Sequence, residues 1–142
     1  MSALSNMPAQ AVLPLGAYDL DDLLRNAARS DQRVLRASFP GTTDKAGVMA
    51  SIGRGFELPP HFGHNLDALY DCITDLKALS GAENPGFVVI LEGLPDTPQF
   101  DREQRDALLD VFRDAADFFF DRDTAFRVFY SVGAGAAARS AA

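Results

Sequence analysis

A chain of 142 residues with 47% apolar and 23% charged side chains has the ordinary composition of a soluble globular domain, long enough to bury a core without staples. Its net charge of −7 argues against nucleic acid as a partner, because phosphate binding wants a basic footprint. The first residues hold neither a basic n-region nor a long apolar run, so no signal peptide and no membrane span are expected. The one cysteine, Cys72, leaves no internal disulfide and fits a reducing compartment, which makes the cytoplasm the expected location.

In chain order, residues 1–17 have no period and carry Pro8 and Pro14, so a loose N-terminal arm is expected. Asp19 to Ala28 reads as a helix with Leu20, Leu23, Leu24 and Ala27 on one face and acids in its first turn. Val34 to Phe39 reads as the first strand, ended by Pro40-Gly41. Thr43 or Asp44 then caps a helix that buries Val48, Met49, Ile52 and Phe56, with Gly55 as its expected stop.

Two prolines, Pro59 and Pro60, stiffen the approach to a bend at Gly63, and Asn65 is a suitable N-cap for a further helix. Leu66, Leu69, Ile73 and Leu76 share its apolar face. Asp67, Asp71 and Thr74 share another face, with Asp75 beside them and Tyr70 at the border. That second face lacks the Lys or Arg at i+4 that would pair its acids on a plain solvated helix. Cys72 on the same helix reads as packing, since no basic neighbour in sequence would activate its thiol.

Downstream, Phe87 to Leu91 is an unbroken apolar run, the pattern of a parallel strand covered on both faces. Asp101 to Phe120 is the longest expected helix, with Leu108, Val111, Phe112, Ala115 and Phe119 inward and Asp106, Asp110, Asp114 and Asp117 outward. Ala125 to Val132 alternates as a last strand, and residues 133–142 form an Ala/Gly tail expected to be disordered. Strands separated by helices predict an α/β domain with a parallel sheet, spanning residues 18–132.

Charge is unevenly placed. Between Gly55 and Asp101 the single base is Lys77, set against Glu57, Asp67, Asp71, Asp75, Glu83, Glu92, Asp96 and Asp101, while the rest of the chain balances. A local field of that sign steers a basic partner. Catalytic readings fare worse. His61, His64, Asp67 and Asp71 straddle a turn, and no further histidine exists to complete a nitrogen-rich metal site, so neither metal nor cofactor is expected. Asp67 and Asp71 as an acid–base pair would need a desolvation that an open helix face does not supply. Gly53-Arg54-Gly55 is no dinucleotide fingerprint, and Gly41-Thr42-Thr43-Asp44-Lys45 lacks the ending of a phosphate loop. The chain is not expected to be an enzyme; a small hydrolase stands third among the readings.

The run Leu58-Pro59, Phe62-Gly63, Asn65-Leu66-Asp67-Ala68-Leu69-Tyr70-Asp71-Cys72 and Thr74 resembles the signature of the barstar family, intracellular protein inhibitors of ribonucleases. The resemblance returns at Val111-Phe112-Arg113-Asp114-Ala115 and covers about residues 33–132, so the helix at Asp19 to Ala28 looks like an addition. It implies a three-stranded parallel sheet in order 1-2-3 with helices packed on it, plus that extra N-terminal helix. It also implies a partner, a basic ribonuclease, whose phosphate-holding cleft the acidic helix and the loop before it would block. Asp71 matches the residue that occupies the catalytic phosphate site and Asp67 a second ionic contact. His61, Phe62, Gly63, Asn65, Leu66, Tyr70 and Thr74 surround them, and Asp114 matches a further acidic contact. Where the best-studied members carry a stacking tyrosine, His61 stands; His64 replaces an acid, and Tyr70 replaces a tryptophan. The target nuclease is thus open. The free chain is expected to be monomeric. The alternative is a barstar-fold interaction module with a basic partner that is not a nuclease.

Overall fold

In a computed structural model the described residues are 8–59 and 65–133. Four parallel strands form one sheet in the order β1-β4-β3-β2, where β1 is Gln10–Pro14, β2 Arg33–Ser38, β3 Gly86–Leu94 and β4 Ala125–Val132. Four α-helices connect them: α1 Leu20–Arg29, α2 Lys45–Gly55, α3 Leu66–Thr74 and α4 Arg102–Phe120. The mixed α/β class with a parallel sheet is as expected, but the sheet has four strands rather than three. The added strand is β1, from a stretch expected to be a loose arm. Three apolar residues flanked by prolines carry little local strand signal; β1 is held from outside, by parallel pairing with β4 and by the Phe126 amide donating to the Ala9 carbonyl at 2.7 Å. The order β2-β3-β4 within the sheet is the sequential one that the resemblance implies.

The two faces of the sheet are covered differently. On the front, α2, α3 and α4 bury Leu35 and Ala37 of β2, Phe87, Val89 and Leu91 of β3, and Phe126 and Val128 of β4. On the back, α1 lays Leu23 and Ala27 over Val88, Ile90 and Phe129, joined by Leu15 and by Tyr18, which is edge-on to Phe129 at 5.2 Å. The apolar run of β3 is buried on both sides for this reason. Because β1 and β2 lie at opposite edges, the chain crosses the back of the sheet through α1 before starting the front layer.

Each helix starts on a side-chain cap: Asp19, Asp44, Asn65 and Asp101 accept from the backbone amides of Asp22, Gly47, Ala68 and Gln104, and Gln104 completes a capping box on α4. Helix α2 ends at Gly55 as expected, but without a left-handed glycine cap; a Cβ there would lie 2.3 Å from the Arg36 carbonyl oxygen, so this glycine also lets α2 approach β2. The left-handed residue beyond this helix is Glu57, with φ 55°. The expected disordered tail lies outside the described residues beyond Gly133, as does the start of the arm up to residue 7.

Candidate functional site

The α3 helix is short because its apolar stripe serves only two turns. Leu69 and Ile73 are fully buried, Leu66 packs against the same core at half exposure, and Leu76 follows as non-helical chain. Fixing those side chains inward turns Asp67 and Asp71 outward, one helical turn apart. The α4 helix lies alongside, and its own inward stripe of Leu108, Phe112, Ala115 and Phe119 leaves Val111, Asp114, Phe118 and Asp121 facing α3.

Between the two helices runs an open groove of about 760 Å³, lined by Leu66, Asp67, Tyr70 and Asp71 from one side and Val111, Asp114, Asp117, Phe118, Asp121 and Arg122 from the other. Its floor is aromatic. Tyr70 meets Phe118 edge-on at 6.4 Å, and Phe118 in turn meets Phe119 edge-on at 5.2 Å. Its walls are carboxylates. Among the described residues no base lies within ion-pair distance of Asp67, Asp71, Asp114 or Asp121, whereas Asp96 and Glu92, from the same acidic stretch of sequence, are tied to Arg105 at 3.0 Å and Arg36 at 2.8 Å. Asp117 accepts from the Gln10 side-chain amide, a neutral partner that leaves its charge in place.

The placement of these charges works against the helices that carry them. Asp71 sits in the last turn of α3, which holds no base, and Asp117 and Asp121 sit at the end of α4. A carboxylate at a helix C-terminus opposes the helix dipole and costs about 0.3–1 kcal/mol. Folding alone does not favour this arrangement. A cationic ligand in the groove would offset it.

Of the residues expected at the site, the structure gathers Leu66, Asp67, Tyr70, Asp71 and Asp114 around the groove. Asn65 is the α3 N-cap, its Oδ1 accepting from the Ala68 amide at 2.8 Å. Thr74 turns its hydroxyl back to the Tyr70 carbonyl at 2.9 Å and does not line the groove. His61, Phe62 and Gly63, with His64, lie outside the described residues. Sequence reasoning missed Val111, Asp117, Phe118, Asp121 and Arg122. One signal was present: three successive phenylalanines, Phe118 to Phe120, on a helix cannot all point to one core, so at least one had to face elsewhere.

Chemically the groove can hold cations, and little else is supported. Among the described residues no group of three or more His, Cys, Asp or Glu side chains is placed to hold a metal ion. Burial, reinforced by the charges of Asp71 and Asp75, pushes the Cys72 thiol above its ordinary range, so it stays protonated and unreactive near neutrality. No helix of the described residues is long and apolar enough to cross a membrane.

Comparison with curated proteins gives no match. The family model described as Barstar (barnase inhibitor) matches residues 32–131, a span that begins just before β2 and ends within β4, taking in α3, α4 and the groove between them but not β1 or α1. With well over half of the chain covered, and the groove inside the covered part, the chain belongs to the barstar family.

Proposed function

We propose that this chain is a barstar-like protein inhibitor of a basic ribonuclease, and that it blocks the nuclease active site by placing Asp67, Asp71 and Asp114 where the substrate phosphates would lie. The observation that carries this reading is the set of carboxylates converging from α3 and α4 on one open groove, with no base of the described residues paired to Asp67, Asp71 or Asp114, in a family whose description is barnase inhibition. A ribonuclease must hold phosphates with Arg, Lys or His. A carboxylate offers such groups the same charge-assisted acceptor, and takes a bidentate bond from arginine. Asp71 is the central anchor in this reading and Asp67 the second contact. His61, Phe62 and Gly63, which precede α3 in the sequence, are further partner contacts in this reading, and Asn65 and Thr74 shape the helix that carries Asp67 and Asp71. The acidic field of the segment speeds capture of a basic partner. No catalysis is asked of the chain. An inhibitor of this kind acts in the cytoplasm of the cell that makes it, as a monomer, protecting that cell from a nuclease.

The test is a titration of RNA-cleaving activity for a panel of basic ribonucleases that includes barnase. The reading predicts stoichiometric inhibition of at least one member, reversed by Asp71→Ala. If the whole panel keeps its activity and a non-nuclease is instead captured from lysate, with capture lost in Asp71→Ala, the chain is a barstar-fold module for another basic protein. The changes at His61, His64 and Tyr70 relative to the best-studied members leave that second outcome its place in the experiment.

A further inference from the structure

One guanidinium already lies in the acidic groove, and it belongs to the chain itself. Arg122 stacks over Phe118 with its Cζ 3.6 Å from the ring centroid, and its Nη1 donates to the Phe118 carbonyl at 2.8 Å. Both residues line the groove that holds Asp67, Asp71, Asp114, Asp117 and Asp121. Among the described residues, Arg122 makes no ion pair with any of those carboxylates within 4.0 Å. What holds it is the ring face and one carbonyl at the end of α4, on a side chain that is otherwise exposed. A contact of this kind is weak at an exposed site and exchanges readily. The ring beneath it is fixed far more firmly: Tyr70 and Phe119 both meet it edge-on.

We propose that Phe118 is a guanidinium platform for an arginine of the partner protein, and that Arg122 occupies this platform in the free chain and swings aside when the partner's arginine arrives. The proposal rests on the reading of the groove as a docking surface for a basic protein and extends it from α3 to the far end of α4. The ring selects the class of cation. A planar guanidinium lies flat on an aromatic face and keeps its edge donors free for acceptors, and Asp114 and Asp121 line the same groove as the ring; an ammonium is a compact, strongly hydrated point charge that stacks poorly and keeps its water. Arg122 also sets a threshold. A single weak cation must compete with a residue tethered on the same helix, so the platform opens only to a ligand anchored elsewhere in the groove as well.

The experiment needs no partner. L-Arginine amide and L-lysine amide are titrated, at constant ionic strength, into the full chain and into Arg122→Ala, following the Phe118 and Tyr70 ring resonances by NMR. Removing the resident guanidinium is expected to tighten arginine amide binding about fivefold, with lysine amide weaker and changed less. Phe118→Leu in the Arg122→Ala background should abolish the difference between the two amides. Arg122→Lys, which keeps the charge but not the planar group, should resemble Arg122→Ala more than the parent chain and guards against any disturbance caused by the leucine. Equal binding of arginine amide by the parent chain and Arg122→Ala, or binding by neither, would overturn the proposal. So would equal affinity for the two amides in Arg122→Ala. Those results leave the ribonuclease reading standing. That reading fails separately, if the panel titration shows neither inhibition nor a dependence on Asp71.

Discussion

The two faces of the sheet use the same kinds of residue to opposite ends. On the back, α1 turns its leucines onto β3 and β4, keeps Asp19 as a cap, and pairs Asp22 with Arg25; its acids are at the helix start, where the dipole welcomes them. On the front, α3 and α4 also bury their apolar stripes, yet they carry Asp71, Asp117 and Asp121 at their ends, where the dipole opposes them. Arginines of the matched region neutralise acids away from the groove, as Arg36 and Arg105 do for Glu92 and Asp96, and among the described residues no base pairs with Asp67, Asp71 or Asp114. The back face neutralises its acids or places them where the dipole favours them. Among the described residues, the front face leaves several of its acids unneutralised, as the proposed docking of a basic partner requires.

If that contrast is right, substitutions on the back should cost stability and spare binding. Phe129→Ala removes a fully buried ring that Tyr18 and α1 pack against, and is expected to cost about 3–5 kcal/mol in urea unfolding, with unchanged affinity per folded molecule. Loss of affinity beyond the unfolded fraction would show that the two faces are coupled. Substitutions in the groove should do the reverse. Asp67→Ala and Asp114→Ala should each weaken partner binding by about 1.5–3 kcal/mol, the worth of a hydrogen bond to a charged group, with stability within about 0.5 kcal/mol of the parent. Their rates of association should also fall as salt rises less steeply than the parent's, since each removes one steering charge.

Caps sit between these extremes. Asp101→Ala removes the capping box of α4 and should cost about 1 kcal/mol of stability without touching the groove walls. The smallest effect is expected at Cys72. Its thiol pKa is raised in the folded chain, so the folded state holds this proton more tightly than the unfolded one. Stability contributed by it is present below the ordinary thiol range and is lost as pH rises from that range through the raised value of the folded chain. Alkylation by iodoacetamide at pH about 8 should accordingly be slower in the native chain than after unfolding in urea. Faster native alkylation would place an activating cation near Cys72 and break the picture of α3 as unpaired acid over packing.

How much of this could be seen beforehand depended on where the information lay. The last strand, Ala125–Val132, was legible from alternation alone, and α4 from the helical spacing of Leu108, Phe112, Ala115 and Phe119. The α3 cap and its two faces were legible because Asn65, the leucines and the aspartates each sit at helical spacing. Strand β1 was not legible, because its reason for being a strand is β4, more than a hundred residues away, and nothing within Gln10–Pro14. That α2 ends at Gly55 was legible, but the close approach there was hidden for the same reason as β1: it depends on the Arg36 carbonyl of another element. At the groove, α3 could be read and its opposite wall could not. Val111 looks like core and Asp117 like solvated surface until the neighbouring helix is in place.

The most direct test is Asp71→Ala measured twice on the same preparation, once by urea unfolding and once by affinity for the ribonuclease that the panel titration identifies. The account predicts that stability stays level or rises slightly, because an acid opposing the α3 dipole has gone, while affinity falls by at least tenfold. A parallel loss of stability and affinity would make Asp71 a structural residue, and the groove would lose its claim to be the docking surface.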